Sequence, residues 1–523
     1  MATTITYKGE VLARITGQTK TLKTAGKYME GDVSITDTSK SIALVSEHAN
    51  SVGGMNVDIA SVTDSPLPYT DTLDAGGGTI RNIMADVVLK LQSKEVALSN
   101  SQQTVLPDNG YDGLSEVVVQ ICDNEAEEND VVFIDYDGTR LYSYTQDEFL
   151  ALSALPANPT HTGLTSQGWN WTLEDAKAHV QSYKYLVIGQ SYITDDGKTR
   201  LYVTIDESNP SKKASVVFKS TPANNTTIDW GDGTTSVGSP NNYGASHTYD
   251  AYGDYVITLT VNSGTIALGY NGSNYSIGGI SSTNPETLTA VRKIELGANI
   301  SEIYRQCFSN LLNLETITIP LGVGDMRNSN GAYFNQSMSL KAVVIPSGCN
   351  CIAKNFATDS GVRYVSIPKQ TREITTTLTE MFTRARHLRM LTLPEITVSE
   401  GATVNLATGA NVLRHVTVPF TGTVAIGGIF LRDCYNLSEV TVPADVVSIA
   451  DYAFYGCWGL RKLHMLPTTP PTLANTRAFQ GLMGQSGRKI YVPYSEDHSI
   501  LEAYKTATNW SSFASNIEEE SND

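Results

Sequence analysis

Val291-Arg-Lys-Ile294-Glu-Leu296 is followed by Leu314-Glu-Thr-Ile317-Thr-Ile319-Pro320, Leu340-Lys-Ala-Val343-Val-Ile345-Pro346, Val362-Arg-Tyr-Val365-Ser-Ile367-Pro368 and Leu388-Arg-Met-Leu391-Thr-Leu393-Pro394. Leu413-Arg-His-Val416-Thr-Val418-Pro419, Leu437-Ser-Glu-Val440-Thr-Val442-Pro443, Leu460-Arg-Lys-Leu463-His-Met465 and Gly487-Arg-Lys-Ile490-Tyr-Val492-Pro493 continue the series. The first residues of these nine units are 23, 26, 22, 26, 25, 24, 23 and 27 apart. Alternate apolar residues within a unit predict a short strand with one buried face. A single unit cannot bury that face, but units stacked at about 4.8 Å can. Proline lacks a ladder donor, so the strand ends there and the chain turns. Each buried Leu, Ile or Val contributes about 1.5–3 kcal/mol of transfer free energy. The pattern therefore predicts a single solenoid over 291–493, with about nine strands in one parallel sheet and no globular centre.

The segments between strands repeat as well. Tyr452-Ala-Phe454-Tyr-Gly-Cys457-Trp-Gly-Leu460 and Phe430-Leu-Arg-Asp-Cys434-Tyr-Asn-Leu437 are alike, and Cys307-Phe308-Ser-Asn-Leu-Leu-Asn-Leu314 is a looser version. The spacing falls in the leucine-rich-repeat range. The combination resembles the BspA-like class of bacterial surface-antigen repeats, which carry an Ala-Phe-x-x-Cys-x-x-Leu turn before an Ile-x-Ile-Pro strand. The resemblance covers roughly 291–515. Repeats near 350 and 400 lack the Phe-Cys turn, which leaves their convex side open.

With 523 residues the chain is long enough for three or more domains, and its net charge of -17 disfavours nucleic acid as a partner. Three of the six cysteines, Cys307, Cys434 and Cys457, sit in the repeat turns, which suits buried free thiols better than disulfides. Cys349-x-Cys351 is not a zinc spacing. The N-terminus shows no secretory signal, and no run of 18 apolar residues spans a membrane. That conflicts with a secreted antigen, and a virus particle assembled in the cytosol resolves the conflict.

Residues 20–35 and 103–119 each give a short strand, a Gly turn and an alternating strand. Both resemble modules of bacteriophage tail, baseplate and fibre proteins. Between them Asp74-Ala-Gly-Gly-Gly is a joint and 80–93 a candidate short helix. An acidic linker, 123–130, leads to Val131-Val-Phe-Ile-Asp135-Tyr-Asp137-Gly138-Thr139. This phrase imitates the nucleophile loop of haloacid-dehalogenase-type phosphatases. Arg140-Leu-Tyr-Ser-Tyr144 alternates as a strand where a phosphatase needs a helix, so Asp137-Gly138 reads as a hairpin turn. Thr145-Gln-Asp-Glu148 is a capped helix start, and Thr172 opens a second helix. Trp169 and Trp171 form an aromatic knot, either local core or a sugar platform.

Ile228-Asp-Trp230-Gly231-Asp232-Gly233, His247-Thr-Tyr249 and Gly253-Asp-Tyr255 to Val261 resemble a polycystic-kidney-disease (PKD) type Ig-like domain. The resemblance implies a two-sheet sandwich that spaces and presents. Asp229 and Asp232 are too few carboxylates to argue a calcium site.

The expected architecture is thus mostly β and multidomain. Residues 1–122 are small β-modules that anchor the chain to other virion proteins, 123–200 a linker and mixed module, and 201–262 the Ig-like sandwich. Residues 263–290 open the solenoid, 291–493 are the repeats, and 494–523 are a capping helix over 495–513 and a disordered acidic tail. No catalytic set, metal cluster or cofactor motif is present. The expected function is a non-enzymatic, homo-oligomeric structural and adhesion protein of a bacteriophage particle. Its solenoid, 263–523, would bind a host-surface polysaccharide or protein, without membrane insertion. The alternative is a bacterial cell-surface adhesin.

The candidate binding residues follow from strand position two, which is basic in seven of nine units: Arg292, Lys341, Arg363, Arg389, Arg414, Arg461 and Arg488. Stacked in register they form a file, with Tyr364, His415 and Tyr491 at neighbouring outward positions. Either the Arg stems cover apolar edge surface and meet nearby acids, or the file holds a polyanion such as teichoic acid.

Overall fold

The structure is a computed structural model. It describes residues 130–521, except 239–244, 270–274, 281–284, 324–325, 327–331, 352–353, 370–372, 375–377, 379, 386, 411, 458 and 480–486, and strand backbones between 3 and 123. The phage-like phrases and most of the helix expected at 80–93 lie outside the described residues, apart from those strand backbones. The chain divides into two compact units, 129–431 with 441–450, and 1–128 with 432–440 and 451–523. It is mostly β, with a C-terminal β-solenoid of about eight turns and a few short helices at the end.

The larger unit begins with a four-stranded sheet. Strand β1 (Val131–Ile134) turns into β2 (Arg140–Tyr144), and helix α1 (Gln146–Leu150) follows. Then come β3 (Leu164–Trp169), helix α2 (Leu173–Tyr183) and β4 (Leu186–Thr194). The sheet order is β2-β1-β4-β3, with the central pair β1 and β4 parallel. Strand β1 and the first three residues of β4, Leu186-Val-Ile188, are unbroken apolar runs, as a sheet covered on two sides requires. On one face Val131, Phe133, Leu186 and Ile188 pack with Phe149, Trp171, Ala176 and Val180 of the helical side. On the other, Val132, Ile134 and Val187 pack with Ala342, Val344, Tyr364 and Met390 of the repeat strands. The module at 130–194 is therefore seated on the repeat strands.

Both helix starts are capped as the sequence predicts. Thr145 and Glu148 form a reciprocal capping box, and the Thr172 hydroxyl accepts from the Asp175 N–H at 3.1 Å.

Strand β5 (Thr199–Ile205) pairs antiparallel with 253–261 on one edge and with the first repeat strand, 291–295, on the other. The resulting six-stranded sheet runs 235–237, 226–229, 253–261, β5, 291–295, 316–318. Sandwich and solenoid thus share a sheet. Strand 265–268 also crosses the expected boundary at 262: it pairs with 218–221 and, in parallel, with 300–303. Trp230 is 2% exposed, and the Tyr249 hydroxyl donates to its carbonyl at 2.9 Å. This is the aromatic core the sequence predicts.

Repeat strands pair parallel with the expected register, Ile294↔Ile317, Val343↔Val365 and Leu391↔Val416, but these pairs belong to three separate sheets, which corrects the single sheet expected over 291–493. Further strands were not anticipated. They fall in three separate sheets: 300–303 with 265–268, 396–398 with 420–422, and 424–426 with 446–449. Their sequence signal is faint, a spaced pair such as Ile300 and Ile303 or Val446 and Ile449.

The turns the sequence left open are filled. Phe308, Phe334, Phe356 and Phe382 form a file with centroids 5.3, 5.3 and 5.8 Å apart, the first pair stacked and the next two edge-to-face. Leu406 continues it, because the Phe382 N–H donates to the Leu406 carbonyl and the Leu406 N–H to the Phe430 carbonyl, both at 3.0 Å. Phe356 therefore fills the turn near 350, and the aliphatic Leu406 the one near 400. All five described cysteines are buried and unbridged.

In the smaller unit, strands 462–465, 489–492 and 517–519 lie parallel. The expected capping helix is shorter and split: an α-helix at Ser499–Thr506, then a 3-10 segment at Trp510–Asn516. Tyr504 and Trp510 cap the turns through bonds to the Pro467 and Pro471 carbonyls, at 2.9 and 2.8 Å. Ile517–Glu519 adds a strand to the repeat sheet. The tail expected to be disordered from 518 is ordered there, because Ile517 is an apolar strand residue, 2% exposed, and Glu518 meets Lys489.

Candidate binding surfaces

The basic residues at position two do align. Backbone bonds run from the Glu315 N–H to the Arg292 carbonyl, Lys341 to Glu315, Arg363 to Lys341, and Arg414 to Arg389. Their side chains do not form a uniform free stripe. Arg292 lies 3.6 Å from Asp206, and Lys341 lies 3.3 Å from Glu315. Arg363 sits over the Tyr364 ring at 5.4 Å. Arg389 and Arg488 are buried, and the Arg488 Nη1 donates to the Leu460 carbonyl at 3.3 Å. Arg363, Arg389, Arg414, Arg461 and Arg488 all interact within the chain. Asp206, Glu315 and the Leu460 carbonyl thus take up the heads of Arg292, Lys341 and Arg488.

The outward positions divide by region. Tyr364 is 1% exposed because Val132 and Val187 lie against it, so its expected place on a binding surface is corrected. His415 faces the Tyr185 ring at 4.5 Å. Polar contacts lock this cover in place. Asn170, 2% exposed, donates from Nδ2 to the Ile345 carbonyl at 2.8 Å and to the Ser366 hydroxyl at 2.9 Å. Its Oδ1 accepts from the Gly189 N–H at 3.0 Å. The Val187 N–H donates to the Thr392 hydroxyl at 3.0 Å, and the Trp171 indole to the Ile367 carbonyl at 3.0 Å. Trp171 is thus a structural residue of the interface as well as module core. No sequence spacing points from Asn170 to Ser366, 196 residues away.

Tyr491 is half-buried and stacks on His464, centroids 5.0 Å apart and rings 15° from parallel. His464 Nδ1 lies 2.5 Å from Glu520, and Nε2 lies 3.0 Å from Glu439. Burial opposes its charge, but the adjoining carboxylates of Glu439 and Glu520 prevail and raise its pKa. Lys489 pairs with Glu518, and Lys462 is exposed. Here the outward strand face is polar, aromatic and accessible.

The phosphatase-like phrase is a hairpin. The Asp135 N–H donates to the Thr139 carbonyl at 2.9 Å, and β2 follows directly. Asp135 is buried, with Oδ2 2.7 Å from His161 Nε2 and Oδ1 accepting from the Tyr136 N–H at 2.8 Å. The His161 partner was not visible in the sequence. In the sandwich, Asp232 bonds His247 at 2.6 Å and the Thr234 N–H at 2.9 Å. Among the described residues, no three His, Cys, Asp or Glu side chains group to hold a metal ion. No described helix is long and apolar enough to cross a membrane.

No curated protein matches the chain. Among solved structures, a leucine rich cell surface protein from Faecalibacterium prausnitzii A2-165 aligns at 15% identity and a TM-score of 0.17, over 42% of this chain and 77% of that one. Residues 278–400 and 409–491 match the BspA type leucine rich repeat region, in six copies, so the solenoid is built of repeats of that type.

Proposed function

We propose that this is a non-enzymatic, adhesion-type protein that presents its repeats at a bacterial cell surface. The six-copy BspA-type match carries the reading. It favours the surface-adhesin alternative over placement in a phage particle. The adhesive contact lies on the accessible strand face around Lys462, His464, Lys489 and Tyr491, and its partner is a host-surface polysaccharide or protein. The sandwich, whose PKD-like residues supply its Trp230 core, braces the first repeat through β5 instead of acting as a free spacer.

The test is antibody labelling of intact cells that make the full chain, alongside purified phage particles from the same culture. Surface label removable by external protease is the expected result. Label confined to phage particles would overturn the reading and restore the virion placement.

A further inference from the structure

One groove in the larger unit lies apart from the adhesive face and shares Trp171 with the interface bonds. It lies between α2 and the turns that follow two strand-ending prolines, and encloses about 230 Å³. Trp171, His179 and Tyr183 form one side as a chain of rings, with centroids 5.3 and 4.9 Å apart. Asp175, His179 and Tyr183 fall on one helix face at i, i+4 and i+8, so this wall is about 12 Å long. Lys369 and Glu395 form the opposite side.

The charges are unequal. The ammonium of Lys369 is held by Asp175 at 2.7 Å. Glu395 accepts from the Tyr183 hydroxyl at 3.3 Å, a long bond that leaves the rest of its acceptor capacity unused by any described contact. Asp445 is near enough to act on Tyr183, and Glu174 on Lys369. Among the described residues, one cation, Lys369, thus stands among four carboxylates. His179 adds no positive charge: burial, against a backbone hydrogen bond with Tyr185, lowers its pKa to about 4. It is 6% exposed, and its Nε2 has no hydrogen-bond partner among the described residues. The groove therefore offers acceptors and aromatic rings in a negative field, which repels anions and attracts a cation with an apolar body.

We propose that this groove binds a primary ammonium group on an aliphatic stem, the lysine side chain of a partner polypeptide. The stem lies along Trp171 and Tyr183, and the ammonium reaches Glu395. The flexible stem of lysine suits a narrow ring-lined channel better than a hydroxyl-rimmed sugar does. The inference does not depend on the adhesive role of the strand face.

The test is calorimetric titration of the full chain with Nα-acetyl-lysine N-methylamide, the norleucine equivalent and glucosamine. Lysine amide should bind, and the norleucine amide should bind at least tenfold more weakly. Raising salt from 50 to 300 mM should weaken the lysine titration. Glu395→Gln should weaken it at least threefold, whereas Lys369→Gln, which frees Asp175, should strengthen it. Both changes fall on accessible side chains, and unchanged melting curves would show that the fold is kept. No lysine titration at 10 mM, equal binding of norleucine amide, or binding indifferent to Glu395→Gln would each overturn the proposal. Glucosamine binding without lysine binding would overturn the choice of occupant.

Discussion

Two stretches of repeat strand share one pattern and present opposite faces. At 342–392 the outward residues Ala342, Val344, Tyr364, Ser366, Met390 and Thr392 are at most 4% exposed. At 462–518 the equivalent outward positions are Lys462, His464, Lys489, Tyr491 and Glu518, all exposed or half-buried. The inward residues are alike in both, so the repeat itself does not decide which face can meet a partner. A second sheet decides it. Strands β1 and β4 carry apolar residues on both faces, and the repeats that receive them replace Thr, Lys and His by Ala, Val, Tyr and Met. Covering one strand face costs it as a ligand surface and joins the module at 130–194 to the solenoid through a continuous core.

The largest expected effect tests this cover. Val344→Asp places an unpaired charge between two sheets, at a cost of several kcal/mol. The larger unit should lose its cooperative melting transition. Lys462→Asp, at an outward position on the accessible face, should change stability by no more than about 0.5 kcal/mol. Similar melting curves for the two variants would break the comparison.

Asn170→Ala should come next. It leaves the Gly189 N–H and the Ile345 carbonyl short of a buried partner, and unsatisfied groups of this kind cost about 1–3 kcal/mol each. Chemical denaturation should show a loss of about 2–4 kcal/mol with the accessible face unaffected. A loss below about 0.5 kcal/mol would mean that the polar bonds do not hold the cover.

The two regions should also respond to pH with opposite sign. In the covered region, burial lowers His179 from 6.5 to about 4, against a backbone hydrogen bond. The unfolded chain then takes up the proton first, so this contribution is present above pH 6.5 and is lost as pH falls toward 4. In the accessible region burial works against the charge of His464, yet Glu439 and Glu520 raise its pKa. That contribution is present below the ordinary value of 6.5 and is lost as pH rises through the raised one. Melting temperatures measured from pH 5 to 9 should show His464→Gln removing the alkaline loss and leaving the acid loss intact. A variant that removes the acid loss instead would reverse the assignment.

The smallest effect belongs to the helical side of the module. Thr145→Ala removes the capping box of α1, at about 1 kcal/mol. Cooperative melting and the cover should both survive, with only a modest shift in midpoint.

The strand core was legible because Ile294, Ile317, Val343, Val365 and Leu391 recur at one phase, and alternation alone fixes which face they bury. The hairpin at Asp135–Thr139 and both helix caps were legible because their signals are local. The cover was not, although traces of it are present: Ala342-Val343-Val344-Ile345 and Val131-Val-Phe-Ile134 are unbroken apolar runs that call for burial on both faces. Neither run names its partner, since 211 positions of sequence separate Val131 from Ala342. The basic file was legible in register but not in environment. Burial of Arg389 and the docking of Arg488 on a carbonyl depend on neighbouring turns that the strand pattern does not encode. Tyr364 was misplaced for the same reason, and the strand at 517–519 because one apolar residue among acids carries little signal.

Thiol accessibility tests the central claim most directly. The described native cysteines are buried, so in a Cys122→Ser background a cysteine introduced on a strand face reports its own exposure. Ser366→Cys and Lys462→Cys would be compared in the full chain by labelling with a maleimide under native conditions. The account predicts rapid labelling at position 462 and labelling at position 366 only on unfolding. Equal native labelling rates at the two positions would contradict it.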